Sequence, residues 1–427
     1  MCLLIFSCYI RNINLSGKQT MATIQIKNIG PIADTGEVSL TSVMLVIGKQ
    51  SSGKSTFLKI LCFCRWIEKL IMVSNEEVIS QYTHNLKFLK SLKQFHRFYD
   101  SFFSVASYVY YDGDAITITM EDAGKNVKIL RKAEFEEIKY NTKLSFIPSE
   151  RNLVSAIKNI DQSYRSAESD ILFNYIFEWG EAKDSYTSEH PKRLSFADNM
   201  EYINEGGNDL VRLIGEDKMI PSYYASSGVQ SAMPLDVMVD YFTNLVGKNA
   251  SVSKHDLANT LLRYLGKDKV LTHEVIKDIS NKMQYQSVQL FIEEPEQNLY
   301  PDSQKNLIVN MVAALKNAMP KGTEQSILVM TTHSPYILST LNVLIAEANA
   351  MEAMPESEEM KRIVSDDCLL PSSAYSAYYI TEDGGFMDVI DKEIAMISGN
   401  ELDGVSDWVD DRIAQINDVR YGQGENE

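Results

Sequence analysis

Several features are scarce in this 427-residue sequence, and each scarcity argues against a class of protein. Five scattered cysteines cannot form a disulfide framework, so a reducing compartment is expected. No apolar run approaches the roughly 18 residues that a membrane-spanning helix needs. The apolar start of the chain follows no basic segment, which argues against a secretion signal. We therefore expect a cytoplasmic protein in which residues 1–20 are a disordered extension.

Positive charge is also scarce. The net charge is −17, and residues 351–427 account for −14 of it, with 19 acidic and 5 basic side chains. A protein that binds nucleic acid through a broad basic surface is therefore not indicated. Heptad repeats are not sustained over any long stretch, which excludes a long coiled-coil arm. Because 44% of the residues are hydrophobic, the chain can bury a large core.

One glycine-rich segment carries the strongest signal. The apolar run Val43–Ile47 predicts a buried strand, and Gly48–Ser55 follows it with the spacing G-x-x-x-x-G-K-[ST]. Apolar residues then recur at helical spacing. Glycines let successive backbone N–H groups turn towards anionic oxygens, and the start of a helix adds its positive dipole end. The segment therefore predicts a phosphate-binding loop.

The polar side chains of this loop have separate expected tasks. Lys54 is expected to reach the β- and γ-phosphates of ATP, and the Ser55 hydroxyl is expected to complete the coordination of Mg²⁺. The residues of the loop that are expected to bind the nucleotide are Gly48, Gln50, Ser51, Ser52, Gly53, Lys54, Ser55 and Thr56.

Two further apolar runs deliver polar side chains at their ends. Val288–Ile292 ends on Glu293 and Glu294, and Ile327–Met330 leads through two threonines to His333. A P-loop site needs one carboxylate to orient Mg²⁺ and another to polarise the attacking water. We assign the first task to Glu293 and the second to Glu294. Because ligands bind where parallel strands end, His333 is expected to face the γ-phosphate.

The segments between these strands predict a β-meander and helical insertions. Alternating residues and turn signals place the meander over 107–130. Largely helical insertions are expected at about 71–105, 152–220 and 235–283. In the first of them, Leu86–Tyr99 is amphipathic and carries a basic stripe, which is either a solvated helix face or a contact for nucleic acid or an acidic partner. The stripe consists of Lys87, Lys90, Lys93 and Arg97.

A serine-rich turn completes the pattern. Ala225–Gln230 contains S-S-G-x-Q ahead of an apolar helix, which is a weak motif by itself. Its order in the chain is more specific, because P-loop, S-S-G-x-Q, strand-E-E and strand-T-T-H together resemble ABC-type ATPases. The closest resemblance is to the branch shared by the overcoming-lysogenization-defect (OLD) and RecF-like proteins, over about Thr23–Leu341. It implies an α/β fold, an ABC-type P-loop ATPase with a mixed central sheet.

The resemblance also implies a shared nucleotide site. ATP, with Mg²⁺, would lie between Gly48–Thr56 of one copy and Ser226–Gln230 of a second copy in a head-to-tail pair or a larger homo-oligomer. The signature-loop residues implied in this way are Ser227, Gly228 and Gln230, with Val229 in place of the usual glycine.

Other positions match the same family. Glu293 stands where most ABC proteins have an aspartate, and this branch commonly uses glutamate there. Glu294 matches the catalytic glutamate, and His333 matches the switch histidine. Pro295–Leu299 would form the D-loop, which faces the second copy, and Pro148–Arg151 falls in the Q-loop region without a glutamine. The catalytic candidates are Glu294, His333 and Lys54, and the metal ligands are Ser55 and Glu293.

The resemblance leads to three functional hypotheses. The leading one is an ATP-hydrolysing dimerisation switch that controls a separate nuclease or toxin, as in bacterial anti-phage systems of the PARIS type. The 94 residues after His333 are too few for the TOPRIM nuclease domain of full-length OLD proteins. The alternatives are a RecF-like ATPase that binds DNA for repair, and a nucleotide-gated scaffold with negligible turnover.

We expect the acidic C-terminal segment to lie outside the ATPase domain. We predict that the ATPase domain covers residues 21–345 and that 346–427 form this segment with a terminal helix. Ser406 is a plausible N-cap for the helix. Its apolar side either packs on its own domain or docks a partner. That side is formed by Leu402, Val405, Val409, Ile413 and Ile416.

Overall fold

The computed structural model describes most of the chain. The described residues are 22–73, 77–133, 135, 140–158, 160, 164, 170–216, 218–248, 252–253, 256–257, 284–319, 326–391, 396–399, 409 and 411–416. The expected extension at residues 1–20 and most of the insertion at 235–283 lie outside them. So do Leu402, Val405 and Ser406 of the predicted terminal helix. No helix among the described residues is long and apolar enough to cross a membrane.

Groups of strands and groups of helices follow one another along the chain. The strands are β1 (Thr23–Ile29), β2 (Ile32–Asp34), β3 (Val38–Ser39), β4 (Val43–Gly48), β5 (Phe103–Asp112), β6 (Ile116–Glu121), β7 (Asn126–Arg131), β8 (Thr142–Ile147), β9 (Lys192–Arg193), β10 (Met200–Glu205), β11 (Asn208–Leu213), β12 (Met219–Pro221), β13 (Ser287–Glu293), β14 (Ile327–Thr332), β15 (Tyr375–Ile380), β16 (Phe386–Asp388), β17 (Ile390–Asp391) and β18 (Met396–Ile397). The helices are α1 (Lys54–Val73), α2 (Glu77–Thr83), α3 (Lys87–His96), α4 (Leu153–Ala156), α5 (Ile171–Lys183), α6 (Ser227–Leu245), α7 (Pro301–Asn317), α8 (Pro335–Ala353) and α9 (Met360–Ile363).

A mixed six-stranded sheet forms the centre of the molecule. Its order is β16-β15-β4-β14-β13-β8, and only the edge strand β16 runs antiparallel to its neighbour. The three apolar runs predicted as buried strands are therefore adjacent, as β4, β14 and β13. Their carboxyl ends meet at one edge of the sheet, which is where ligands bind in such folds. The predicted α/β P-loop fold with a mixed central sheet is confirmed.

The central sheet is buried because both of its faces are covered. Along β4, Val43, Leu45 and Ile47 belong to one core, which also contains residues of α6, α7 and α8. The intervening Met44 and Val46 belong to a second core, with α1 and the antiparallel strands β1, β5 and β6. Covering both faces explains why β4 reads as a continuous apolar run rather than an alternating one.

The second sheet is antiparallel and has the order β2-β1-β5-β6-β7, with β3 also paired to β1. The strands β5, β6 and β7 form successive hairpins, which is the meander expected over residues 107–130. In the insertion before it, α2 and α3 supply the expected helices. Leu89 and Leu92 on the apolar side of α3 are buried, whereas the preceding Leu86 is exposed.

The prediction for the insertion at 152–220 is wrong over its second half. Only α4 and α5 are helical, and residues 192–221 form a four-stranded antiparallel sheet with the order β12-β11-β10-β9. The strands β10 and β11 pair through a tight turn at Gly206 and Gly207, which both have positive φ. Such a two-residue turn matches the twist of a hairpin. The two glycines are therefore a stronger indication of a hairpin here than the polar composition is of helices.

The expected domain boundary at residue 345 is also wrong. The strand β15 belongs to the central sheet, where it lies between the edge strand β16 and the P-loop strand β4. It runs parallel to β4, with Tyr375 opposite Val43 and Ile380 opposite Gly48. The fold therefore extends well into the acidic segment. The net charge of that segment gave no indication of this strand, whose aromatic and small residues fit the sheet. Near its end, residues 411–416 are helical, and Val409, Ile413 and Ile416 are exposed.

Helix α1 is fixed between the two sheets by one buried arginine. Arg65 is 3% exposed and donates to Gln289 of β13 at 2.9 Å and to Asp114 at 2.8 Å. It also donates to Glu68 at 3.0 Å, on the next turn of the same helix, and to Tyr111 of β5 at 2.9 Å. These bonds join the P-loop helix to the central sheet and to the antiparallel sheet.

Replacing this arginine tests its structural importance. Arg65→Met is expected to lower the free energy of unfolding by about 3–5 kcal/mol, because two carboxylates lose their buried cation. Chemical denaturation of wild type and variant measures the difference. Arg193→Met is the matched control, since the side chain of Arg193 is 76% exposed and its change should stay within about 0.5 kcal/mol. Equal losses in the two variants would contradict the account.

Candidate nucleotide site

The P-loop has the strand, loop and helix that its sequence predicts. The strand β4 ends at Gly48 and α1 begins at Lys54. Between them Gly53 has a φ of +113°, a conformation that side chains other than glycine rarely adopt. The loop closes through a bond from the Ser52 N–H to the Lys49 carbonyl at 3.2 Å.

Lys54 lies inside the loop. It is 6% exposed, and its Nζ donates to the carbonyl oxygens of Gly48 and Lys49, at 2.8 Å each. Burial lowers its pKa to about 8, and the charges of Glu294 and Glu296 oppose this shift. Among the other predicted ligands Gln50, Ser51 and Ser55 are exposed, Ser52 is half-buried and Thr56 is buried. The exposed hydroxyls are thus accessible to a ligand above the loop.

Lys54, His333 and Glu294 are brought together by three adjacent strands. Lys54 Nζ lies 3.4 Å from His333 Nδ1, and His333 Nε2 lies 3.3 Å from Glu294 Oε1. A neutral imidazole that accepts at Nδ1 from the ammonium donates at Nε2 to the carboxylate, so all three groups are satisfied. Glu294 has a φ of +44°, an unusual backbone conformation directly after β13. The side chains of His333 and Glu294 remain about one-third exposed, so a ligand can reach them.

Glu293 has the features of a metal ligand. It is 4% exposed, and its Oε2 accepts from the Ser149 N–H at 3.2 Å. Its Oε1 is buried and has no hydrogen-bond partner among the described residues. An orphaned buried carboxylate oxygen fits a cation, so Glu293 and the Ser55 hydroxyl could hold Mg²⁺ together with phosphate oxygens. The described residues contain no group of three or more His, Cys, Asp or Glu that could hold a metal ion alone.

Sequence reasoning did not assign a task to Glu296. Its Oε1 accepts from the backbone N–H of His333 and from the Thr332 hydroxyl, at 2.7 Å each. The carboxylate therefore fixes the backbone at the end of β14, where His333 begins to point towards the loop. The only sequence signal for this task is that Glu296 is the third acidic residue in the run E-E-P-E. The charge count alone could not distinguish it from a carboxylate in a solvated turn.

Arg151 is the other position whose task the sequence left open. Its side chain is fully buried and makes a three-way link. Nη1 donates to the Glu293 carbonyl at 2.7 Å, Nη2 to the Glu294 carbonyl at 2.6 Å, and Nε to the Ser231 carbonyl at 2.9 Å. Its own carbonyl accepts from the Tyr175 hydroxyl at 2.8 Å. The guanidinium thus ties the end of β13 to the first turns of α6.

One signature-loop candidate, Gly228, contacts the segment predicted as the D-loop. Ser226 caps α6 by accepting from the Val229 N–H. Gly228 lies so close to Asn298 that a Cβ would be 2.8 Å from its carbonyl oxygen. Asn298 also donates to the Ser231 hydroxyl at 2.9 Å. The glycine of S-S-G-x-Q therefore serves a close approach between α6 and the segment that follows the two glutamates.

The remaining signature residues differ in exposure. Ser227 is exposed, whereas Gln230 is half-buried and donates to the carbonyls of Ser222 and Tyr223 at 3.3 and 3.0 Å. The start of α6 thus presents a serine hydroxyl outward, while Gln230 holds the preceding turn in place. Tyr300, which follows the D-loop, is 74% exposed.

The fold and this site define a P-loop nucleotide-binding protein. A family model described as an AAA ATPase domain matches residues 65–338. The match covers more than half of the chain, and the protein belongs to this family.

The solved structures that are similar to this chain include two SMC heads. The SMC head domain from Thermotoga maritima is 11% identical with a TM-score of 0.38, and the alignment covers 86% of this chain and 98% of that one. An SMC head bound to the C-terminal winged-helix domain of ScpA is 10% identical with a TM-score of 0.39, over 88% and 99% of the two chains. No curated protein sequence gives a significant match.

The Arg151 link gives a testable prediction about positioning. In Arg151→Lys one ammonium group replaces the three-way fork, so at least one buried carbonyl loses its donor. We expect ATP turnover to fall about tenfold or more, equivalent to about 1.4 kcal/mol or more of barrier. Nucleotide affinity should change little, since none of the bonds described for the Arg151 side chain reaches the P-loop. Steady-state kinetics and nucleotide titration measure the two effects.

Arg212→Lys is the control for this substitution, because Arg212 pairs with Glu201 in the separate antiparallel sheet. Circular dichroism confirms that both variants are folded. An Arg151→Lys protein that folds and turns over at the wild-type rate would contradict the positioning role. A loss confined to nucleotide affinity would contradict it equally.

Proposed function

We propose that this chain is a Mg²⁺-dependent ATPase whose nucleotide site is completed by a second copy, and that ATP binding and hydrolysis close and open the pair. The observation that carries the proposal is the linked arrangement of Lys54, His333 and Glu294 above the P-loop. A cation, a neutral proton donor and acceptor, and a carboxylate at one strand edge are the groups that phosphoryl transfer to water needs.

In this mechanism each residue has a separate task. Bound Mg²⁺ would neutralise phosphate charge, with Ser55 and Glu293 as its protein ligands. Lys54 exchanges its loop carbonyls for phosphate oxygens. Glu294 orients the attacking water and polarises it. His333 links Glu294 to Lys54 and in this position faces the γ-phosphate.

The need for a second copy follows from the start of α6. The hydroxyl of Ser227 is exposed at the positive end of a 19-residue helix, and Gln230 is occupied by backbone carbonyls. In a head-to-tail pair this end would meet the phosphates bound to the other P-loop. Within each copy, the Arg151 link holds the start of α6 at a fixed position relative to Glu294.

We further propose that the switch is cytoplasmic and controls a separate effector, a nuclease or toxin, in anti-phage defence. This assignment is supported by the sequence resemblance to the OLD-like branch and rests on family analogy. A RecF-like role in DNA repair has less support. Two of the four basic residues of the stripe on and next to α3 are engaged, since Lys93 pairs with Asp100 and Arg97 pairs with Asp170 at 2.6 Å.

Two substitutions separate nucleotide binding from closure. Lys54→Ala is expected to abolish binding of ATP, because the loop loses the buried ammonium group that is expected to contact the phosphates. Ser227→Arg should bind ATP as the wild type does, and it should stay monomeric because a bulky side chain blocks the shared interface. Titration with a fluorescent ATP analogue measures binding, and size-exclusion chromatography with ATP measures pairing. Wild-type hydrolysis by Ser227→Arg would contradict the shared site.

Replacing the catalytic carboxylate should trap the closed state. Glu294→Gln keeps the size and hydrogen bonding of the side chain but cannot polarise water, so turnover should fall about 100-fold or more. The pair should then persist with ATP and Mg²⁺. Light scattering measures its lifetime, and Glu352→Gln on the exposed end of α8 serves as the control. If the wild type hydrolyses no ATP in any assembly state, the scaffold hypothesis replaces the switch.

A further inference from the structure

A second cavity lies at the far end of the P-loop helix. It encloses about 360 Å³ between the C-terminal half of α1, α3, β8 and α5. Trp66 on its wall is 12 residues from Lys54, which is about 18 Å along the helix axis. The cavity is therefore distinct from the nucleotide site. Its volume falls in the range of pockets that bind small molecules.

Six aromatic side chains contribute to the wall. Flat rings favour a flat ligand, because stacked and edge-to-face contacts add to the burial of apolar surface. The aromatic residues are Phe63, Trp66, Phe95, Phe146, Phe173 and Phe177.

One polar side chain among these rings has no hydrogen-bond partner in the part of the chain that the structure describes. His96 lines the cavity and is 1% exposed, and neither of its ring nitrogens has a hydrogen-bond partner among the described residues. Its ring centroid lies 4.9 Å from that of Phe95 and 5.6 Å from that of Phe146. Burial lowers its pKa far below the usual value, so the ring is neutral and offers one donor and one acceptor. Buried polar groups are normally paired, so a ligand that reached these two nitrogens would satisfy them.

The charged groups of the cavity are already paired with each other. Lys69 Nζ lies 2.7 Å from Asp256, and Lys143 Nζ lies 2.6 Å from Glu178. The formal charge of these four groups sums to zero. Since both lysines are engaged, the described residues of the wall offer no unpaired cation to a phosphate-bearing ligand.

From the flat walls, the neutral charge and the donor–acceptor pair of His96, we propose that this cavity binds a neutral planar nitrogen heterocycle, of nucleobase or nucleoside size. Heterocycle edges carry adjacent donors and acceptors that match a neutral imidazole, whereas a hydrocarbon would leave them unpaired. Several lining residues belong to α1, so occupancy acts on the helix that carries Lys54. That regulatory consequence rests on the proposed function, whereas the binding itself does not.

Nucleosides are the probes for this site. Adenosine, guanosine, cytidine and uridine are titrated separately against the full chain by calorimetry, in the presence of a saturating non-hydrolysable ATP analogue. At least one is expected to bind and to remain bound with the analogue present. Indole, a planar ring without an acceptor nitrogen, should bind at least tenfold more weakly. Absence of any nucleoside binding, displacement by the analogue, or equal affinity for indole would overturn the proposal.

Two variants locate the binding. His96→Phe preserves the aromatic packing and removes both nitrogens, so the protein should melt at the same temperature or higher while nucleoside affinity falls at least tenfold. Ser91→Trp on the lining face of α3 should block the cavity, and Lys90→Trp on the exposed face of the same helix should not. Unchanged affinity in a folded His96→Phe protein contradicts the proposal. A chain that binds nucleosides but not ATP overturns only the proposed function.

Discussion

The fork of hydrogen bonds from Arg151 is the interaction on which the arrangement of the site depends. It connects the carbonyls of Glu293 and Glu294 to that of Ser231, and the arginine side chain itself is fully buried. A planar guanidinium can satisfy three carbonyls in fixed directions, which an ammonium cannot do. The end of β13 and the first turns of α6 therefore behave as one rigid part. In the proposed pair, they would contribute to different nucleotide sites.

The same principle of buried polar links holds the rest of the site. Glu296 fixes the backbone at His333, and Arg65 fixes α1 between the two sheets. Each link joins elements that are distant in sequence, and each pairs a charged side chain with protein hydrogen-bond partners. The apolar cores hold the layers together, whereas these few polar contacts set the positions of Lys54, His333 and Glu294 to within hydrogen-bond distance of each other.

Much of the fold was predictable because apolar strands and glycine loops leave local signals. Local sequence patterns are sufficient to predict four elements, and contacts formed on folding only add to these local preferences. The elements are the strands β4, β13 and β14 and the helix α1. The sheet at residues 192–221 and the strand β15 did not follow, since polar composition and net charge describe exposure rather than backbone shape. The tasks of Arg151 and Glu296 could not be predicted either, because their partners are brought near them only by folding.

The central claim is that one nucleotide site needs residues from two copies, and complementation tests it most directly. Lys54→Ala and Ser227→Arg proteins are each expected to be inactive alone. In a 1:1 mixture, mixed pairs contain one intact site, so about a quarter of the wild-type ATPase rate should return if subunits exchange freely. Activity that stays at the level of the separate variants, with exchange demonstrated by differently labelled subunits, would contradict the shared site.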